Sequence, residues 1–365
     1  MKRIIQPVKD FYLRNERLIS SLSLVGGFVF DFIALERVDM LWENVWVGGH
    51  LLIAAVAMLL INYVEAKQKN SKHYSKMHFW LIITIQFAFG GLLSAVLVFY
   101  FRSATLSASW PFLLLLCLAF AANELLKHRY SRLTFQIGML FLSIYAFFIF
   151  IVPIIVHSIG VFSFILAGIV SLVSIAFFIS SLRYFNTEQY NKSKIGIFVS
   201  IIFITAIINA LYFTNLIPPL PLSLKDAGIY HAVVRNHDGE YEVTTEPRNP
   251  ILDYFSFSTA FHAVPGETAY AYSAVFSPTS LNTTIIHNWK LYNEQTKQWV
   301  TQSTVKLPIY GGRGEGYRTY SQKASLMPGT WRVDVETLNG QKIGRIQFNV
   351  LSASTTPSLV TKTLK

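Results

Sequence analysis

A charged side chain inside an otherwise apolar run is costly and persists only with a partner, so such residues are the first places to look for chemistry. Asp31 and His50 stand foremost. Around Asp31 the small and polar residues Ser20, Ser23, Gly27, Asp31 and Ala34 recur at spacings of three and four, which gathers them on one helical face. His50 shares a face with Ala54 and Ala57 in the same way. Counted from the ends of their apolar runs, Asp31 lies about 6 Å deep and His50 about 8 Å, so the two can meet. Such a pair can carry protons or bind a cation near the outer surface of a membrane. The plainer alternative is a buried hydrogen bond that fixes two helices, or two residues near enough to the interface to stay wet. Glu124 stands beside Lys127, His128 and Arg129, where snorkelling and local pairing suffice. Gln86 and Asn209 are isolated amides expected to donate to a neighbouring helix, and Gly160, Ala167, Ser171, Ser174 and Ser181 form a small-residue seam that favours close packing over nucleophilic chemistry.

The C-terminal third offers a second set. Tyr310, Arg313, Tyr317, Arg318 and Tyr320 can form a surface on which aromatic faces stack on sugars or peptides while guanidinium forks grip carboxylates or phosphates. Strand alternation opposes this: if Tyr317 faces inward, Arg318 and Tyr320 face outward. Gly312-x-Gly314-x-Gly316 imitates a phosphate-cradling pattern, but it joins two strand-like runs and no helix N-terminus follows, so a tight turn is expected. His231, His237, His262 and His287 lack metal-type spacing, and the lone Cys117 lies in an apolar run and supports neither a metal site nor a disulfide. No nucleophile-elbow, zinc-protease or P-loop signature is present. The expectation is a protein without catalytic centre, cofactor or metal, with Trp289 and Trp331 as core anchors.

The elements that must position these residues follow from composition. Of 365 residues, 52% are hydrophobic and 14% charged, which excludes an ordinary cytosolic enzyme. A helix needs about 20 apolar residues to cross a bilayer. Seven stretches qualify: Leu18 to Leu35, Val45 to Val64, Phe79 to Phe101, Leu106 to Leu126, Leu133 to Val152, Ile159 to Leu182 and Ile195 to Ile217. The first lacks a clear small-x-small cleavage site and continues into Glu36-Arg37, so it reads as a retained helix. Trp42, Trp46, Trp80 and Trp110 each sit at or beside a span end, where an indole prefers to lie. Pro153 breaks the near-continuous block of the fifth and sixth runs, and a helical hairpin is expected there.

Lysine and arginine crowd the N-terminal segment and alternate connections, leaving only Arg37 and Arg102 on the opposite side. The positive-inside rule then places the N-terminus in the cytoplasm and everything beyond Ile217 outside it, in a bacterial inner (cell) membrane. Residues through Ile217 carry 17 basic and 9 acidic groups. This excess suits anionic lipid at the inner face and is no argument for nucleic acid.

Beyond the proline-dense Ile217 to Pro221 the pattern alternates with period two. Trp331, Val333 and Val335 precede Asn339-Gly340, and Ile346, Phe348 and Val350 follow it, which is a strong hairpin signal. Further strands are expected at Ile229 to Arg235, Glu240 to Thr245, Ala269 to Phe276, Thr284 to Tyr292, Gln298 to Lys306 and Tyr317 to Lys323. The fold class is therefore a membrane α-helical bundle of about seven transmembrane helices plus a C-terminal all-β immunoglobulin-like sandwich. Its boundaries are a helical domain over 1–217, a proline-rich linker over 218–227, an extracytoplasmic β-sandwich over 228–351 and a flexible tail over 352–365. Within this region Trp289, Gly311-Gly312-Arg313, Tyr317 to Ser321, Pro328 to Val333, Asn339-Gly340-Gln341 and Phe348-Asn349-Val350 resemble the bacterial family known as domain of unknown function 2914. The resemblance covers roughly residues 255–350 and implies a bacterial envelope protein, but brings no activity with it. The expected function is presentation of the β-sandwich to an envelope protein or a cell-wall glycan. The alternative is a small-solute or proton-linked transporter or channel that uses Asp31 and His50.

Overall fold

The computed structural model describes residues 25–35, 39–68, 74–103, 106–125, 132–237, 239–247, 258–278, 281–355 and 357–364. They form two compact units, one helical and ending at Thr214, the other carrying the sheets from Asn215 to Lys365.

The helical unit contains α1 (Val25–Ala34), α2 (Leu41–Gln68), α3 (Tyr74–Ser103), α4 (Leu106–Leu125), α5 (Leu133–Val156), α6 (Val161–Phe185) and α7 (Thr187–Phe213). Five of the seven, α2, α3, α5, α6 and α7, are long and apolar enough to cross a membrane, where seven such spans were expected. Both shortfalls have a local cause. Residues 18–24 of the first expected span lie outside the described residues, and the described apolar part of α4 is Ser109–Asn123, too short to qualify. The side chain of Glu124 also lies outside the described set.

The most enclosed of these helices is α5, which packs against α2, α6 and α7. It runs through Pro153 to Val156, and the chain reverses at His157 (φ 51°) and Gly160 (φ 145°). The expected hairpin therefore exists, but its turn falls after Val156 and not at Pro153. Proline near a helix end forfeits only one backbone bond, whereas a left-handed residue stops the helix outright. A short joint connects α6 to α7: Asn186 caps α7 by accepting from the Gln189 N–H (3.1 Å), while its amide donates to the Asn62 carbonyl of α2 (3.1 Å). Small residues set α5 against α7 in parallel register. A Cβ at Gly196 would lie 2.9 Å from Thr134 Oγ1, and one at Gly138 would lie 3.9 Å from Ser200 Cβ.

The second unit has eleven strands: β1 (Ser223–Tyr230), β2 (Ala232–Arg235), β3 (Tyr241–Thr245), β4 (Thr259–Ala263), β5 (Thr268–Phe276), β6 (Thr283–Asn293), β7 (Gln298–Ile309), β8 (Tyr317–Ala324), β9 (Gly329–Thr337), β10 (Lys342–Ser352) and β11 (Val360–Leu364). They build a five-stranded sheet β4-β10-β9-β6-β7 and two three-stranded sheets, β1-β5-β8 and β11-β3-β2. All pairs are antiparallel except β4 with β10. One core joins Ile229, Ala269 and Ala271 of the β1-β5-β8 sheet to Phe261, Trp289, Trp331, Val333 and Phe348 of the five-stranded sheet. Trp289 and Trp331 are its anchors, each with its indole N–H satisfied, by Ser321 Oγ (3.0 Å) and the Met327 carbonyl (2.7 Å). The β11-β3-β2 sheet packs Val233, Tyr241, Val243 and Leu364 against Tyr272 and Ala274 of β5.

Two expected boundaries change. The linker assigned to 218–227 passes into β1 at Ser223, and its Leu220 and Leu222 are buried because apolar side chains beside the core leave water. The tail assigned to 352–365 returns as β11, whose alternating Val360-Thr-Lys-Thr-Leu364 pairs with β3.

Candidate functional site

In the helical unit Asp31 of α1 and His50 of α2 are both 6% exposed. The carbonyl of Trp46 can only accept, so the His50 Nδ1–H donates to it (2.8 Å), which directs Nε2 away from its own helix. That nitrogen rests on α3, where a Cβ at Gly91 would stand 2.7 Å from it. The rings of Trp46 and Phe87 flank the imidazole, with centroids at 4.6 and 5.8 Å. Ser94, one turn beyond Gly91, and His50 both act on the Asp31 carboxylate, the first through its hydroxyl and the second by charge. Arg102 of α3 donates to the Phe32 carbonyl and stacks on its ring at 5.0 Å. Thus α1, α2 and α3 meet around a carboxylate, an imidazole and a hydroxyl. This arrangement can hold a proton or a small cation.

Asn209, Gln86 and the serines of the small-residue seam serve packing. Asn209 donates to Tyr145 Oη of α5 (3.3 Å), as expected, whereas at Gln86 it is the backbone carbonyl that takes part, accepting from the Asn123 amide of α4 (3.1 Å). Hydroxyls of the small-residue seam, at Ser171, Ser174 and Ser181, return to carbonyls of their own helix.

The five residues proposed for the outer surface split into two groups. Tyr317 turns inward beside the core of Leu222, Val275, Ile285 and Ile309. Tyr310, 54% exposed, meets its ring edge-on at 5.5 Å, and the Arg313 guanidinium lies over it at 5.4 Å. The Gly311–Gly316 loop enforces this stack. A Cβ at Gly311 would strike the Pro278 carbonyl at 1.7 Å, and Gly316 has φ +90° against the β5 backbone. Arg318 and Tyr320 lie on the opposite face of β8, where Tyr320 neighbours Tyr241 and Tyr270 (6.3 and 5.9 Å) and Tyr241 Oη donates to the Arg318 carbonyl (3.2 Å). Burial pushes the Tyr241 phenol above its ordinary range.

Three further clusters escape a reading by sequence spacing. On the face of the five-stranded sheet away from the tryptophans, the Asp334 carboxylate has no exposed surface. It faces Lys290 (2.9 Å), Arg345 (2.7 Å) and Arg332 (3.2 Å) from three strands. Burial alone would raise its pKa, but these cations hold it below the usual carboxylate range. Arg332 also covers the Trp299 ring at 4.3 Å. At another edge, His231 presents Nδ1 to Glu267 (2.5 Å) and Nε2 to Glu246 (3.2 Å) while stacking on Phe261 at 4.2 Å. Glu246 also accepts from the backbone N–H and Nδ1 of His262 (2.7 Å each), and despite its burial these bonds hold it below its ordinary range. Lastly, His287 is fully buried between Ser273 (2.8 Å) and Ser321 (2.9 Å). A serine–histidine contact invites comparison with acyl transfer, but neither serine is more than 3% exposed, so no substrate reaches it. Burial lowers the His287 pKa to about 4, which keeps it a neutral strut between the two sheets.

Comparison with known proteins adds a family match over part of the β unit but no reaction. A family model described as "Protein of unknown function (DUF2914)" matches residues 282–350, from β6 through most of β10. This match contains all the motifs that carried the resemblance in sequence. No curated protein matches the chain. Among solved structures, the alkylpurine DNA glycosylase AlkC of Pseudomonas fluorescens, bound to DNA containing an abasic site analog, is 8% identical. The alignment covers 87% of this chain and 99% of that one. Its TM-score of 0.22 is too low to indicate a common fold.

Proposed function

We propose that this chain is a multi-pass protein of a bacterial inner membrane, with its N-terminus in the cytoplasm. In this reading it presents an immunoglobulin-like β-sandwich outside the cytoplasm and binds an envelope protein or a cell-wall glycan there without catalysing a reaction. The observation that carries it is the outward face of α6 and α7. Phe162, Val173, Phe177, Ile195, Ile202 and Phe203 are each more than 60% exposed on these helices, a density of apolar surface that hydrocarbon covers and water does not. The charge asymmetry of the short connections supports the orientation. Two sheets sharing a tryptophan core, with a parallel closing pair between β4 and β10, support the sandwich.

The binding edge in this reading is the Tyr310–Arg313–Tyr317 stack. It combines an exposed phenol, a guanidinium held in place by a ring, and a loop whose glycines fix its shape. A second reading, transport of a proton or small solute, draws on one observation: Asp31, His50 and Ser94 converge from three helices.

One comparison separates the readings. Full-length protein in lipid nanodiscs is tested for capture of envelope proteins and glycans, and the same protein in proteoliposomes for proton-linked flux. The binding reading predicts that Tyr310→Ala with Arg313→Ala weakens capture about tenfold, while Asp31→Asn leaves it intact. The transport reading predicts flux that Asp31→Asn abolishes and the double substitution spares. If wild-type protein captures nothing, the binding reading fails.

A further inference from the structure

A cavity of about 850 Å³ opens between α5 and α7, and its lining changes character along its length. At one end stand Arg132, Gln189 and Ser193; deeper in, Gly138, Leu142 and Phe203 make the wall. The helices run in parallel register, since Thr134 lies against Gly196 and Gly138 against Ser200. The polar end is therefore the end at which both helices begin. Nine residues of rise from Leu133 to Leu142 make a mainly apolar shaft about 14 Å long, interrupted by the hydroxyls of Thr134 and Ser200. One leaflet of a bilayer supplies roughly 15 Å of hydrocarbon, half of the full core.

An apolar trough one leaflet deep, with a cation and hydrogen-bonding groups at its mouth, has the chemistry of an amphiphile with a negative head. Arg132 is exposed at that mouth, Lys194 follows on α7 beside a Lys192 that is paired with Glu188 (2.5 Å), and among the described residues no acidic side chain lines the cavity. Charge complementarity thus selects an anionic head over a zwitterionic one, as in basic pockets on the cytoplasmic side of helical membrane proteins.

We infer that the groove between α5 and α7 holds one anionic phospholipid of the cytoplasmic leaflet, with an acyl chain along Gly138, Leu142 and Phe203 and its phosphate at Arg132. This inference rests on the membrane reading above. The two fail differently. Recovery of the full-length protein in the soluble fraction without detergent would overturn the membrane reading before any lipid is measured.

The test uses full-length protein extracted in mild detergent, stripped of lipid, and re-exposed to vesicles of phosphatidylglycerol or phosphatidylcholine, with native mass spectrometry as the readout. Wild type is expected to retain one phosphatidylglycerol in at least tenfold preference. Arg132→Gln should lower that preference about tenfold. Gly138 has nothing nearer its Cβ position than Ser200 Cβ at 3.9 Å, so Gly138→Leu should fill the trough and abolish retention without changing thermal unfolding. Retention undiminished in a folded Gly138→Leu, or equal retention of phosphatidylcholine, would overturn the inference. If Gly138→Leu does not fold, a photo-crosslinking residue at position 203 decides. It must label phosphatidylglycerol in preference to phosphatidylcholine, and equal labelling or none overturns the assignment.

Discussion

Single buried polar groups set how the β unit responds to pH. His287 has two hydroxyl partners and no solvent, and folding holds it neutral with a pKa near 4, against about 6.5 when unfolded. A group whose folded pKa is depressed stabilises fully above the unfolded value, and that contribution is lost as pH falls through the window, here from about 6.5 to 4. The difference corresponds to about 3 kcal/mol at the acid end. His287→Gln cannot titrate, so its β unit should be less stable than wild type at pH 7 but lose less stability between pH 6.5 and 4. Urea unfolding followed by tryptophan fluorescence at several pH values measures this, and parallel pH profiles for the two proteins would exclude it. Part of this chemistry was legible in the sequence. Pairing counted outward from Asn339-Gly340 places Asp334 opposite Arg345, as observed, so that one ion pair could be read from the hairpin, whereas Lys290 joins the cluster only through the pairing of β6 with β9. The His231 cluster could not, because its partners Glu246, His262 and Glu267 come together only through sheet pairing.

At the level of elements, strands that alternate are easily read, and strands that borrow their pattern from a partner are not. The strands from β5 to β10 lie within a few residues of their expected places because most of them alternate apolar and polar side chains, while β5 is a short apolar run buried on both faces. β4 is short and gains its identity from parallel pairing with β10, whereas β11 is Ser/Thr-rich and composition alone assigns it to a tail. In the helical unit the apolar runs marked the helices, but periodicity gave no warning that the reversal after α5 would fall at His157 instead of Pro153. The docked β11 carries a direct consequence. Truncation after Ser352 removes Leu364 from its cluster with Tyr241 and Val243 and leaves β3 as an edge strand. Amide exchange in Tyr241–Thr245 should accelerate at least tenfold while Trp331–Val335 stays protected. Unchanged exchange in β3 would show that β11 contributes nothing to that sheet.

For the whole molecule, the decisive feature is a change of composition at the end of α7. Before it the sequence holds 24 of its 29 phenylalanines, and after it 11 of its 20 acidic residues together with the tryptophan core of the sheets. Composition made this division visible from the start because hydrocarbon and water select opposite side chains over whole segments, an effect that no single residue can mask. The partner was not legible, since aromatic and arginine side chains suit many ligands until their geometry is fixed. The most direct test of the account is protease added to intact spheroplasts carrying the protein with an epitope at each terminus. The account predicts rapid loss of the C-terminal epitope and protection of the N-terminal one, whereas a C-terminal epitope that survives in spheroplasts and is digested only in inverted vesicles would contradict it.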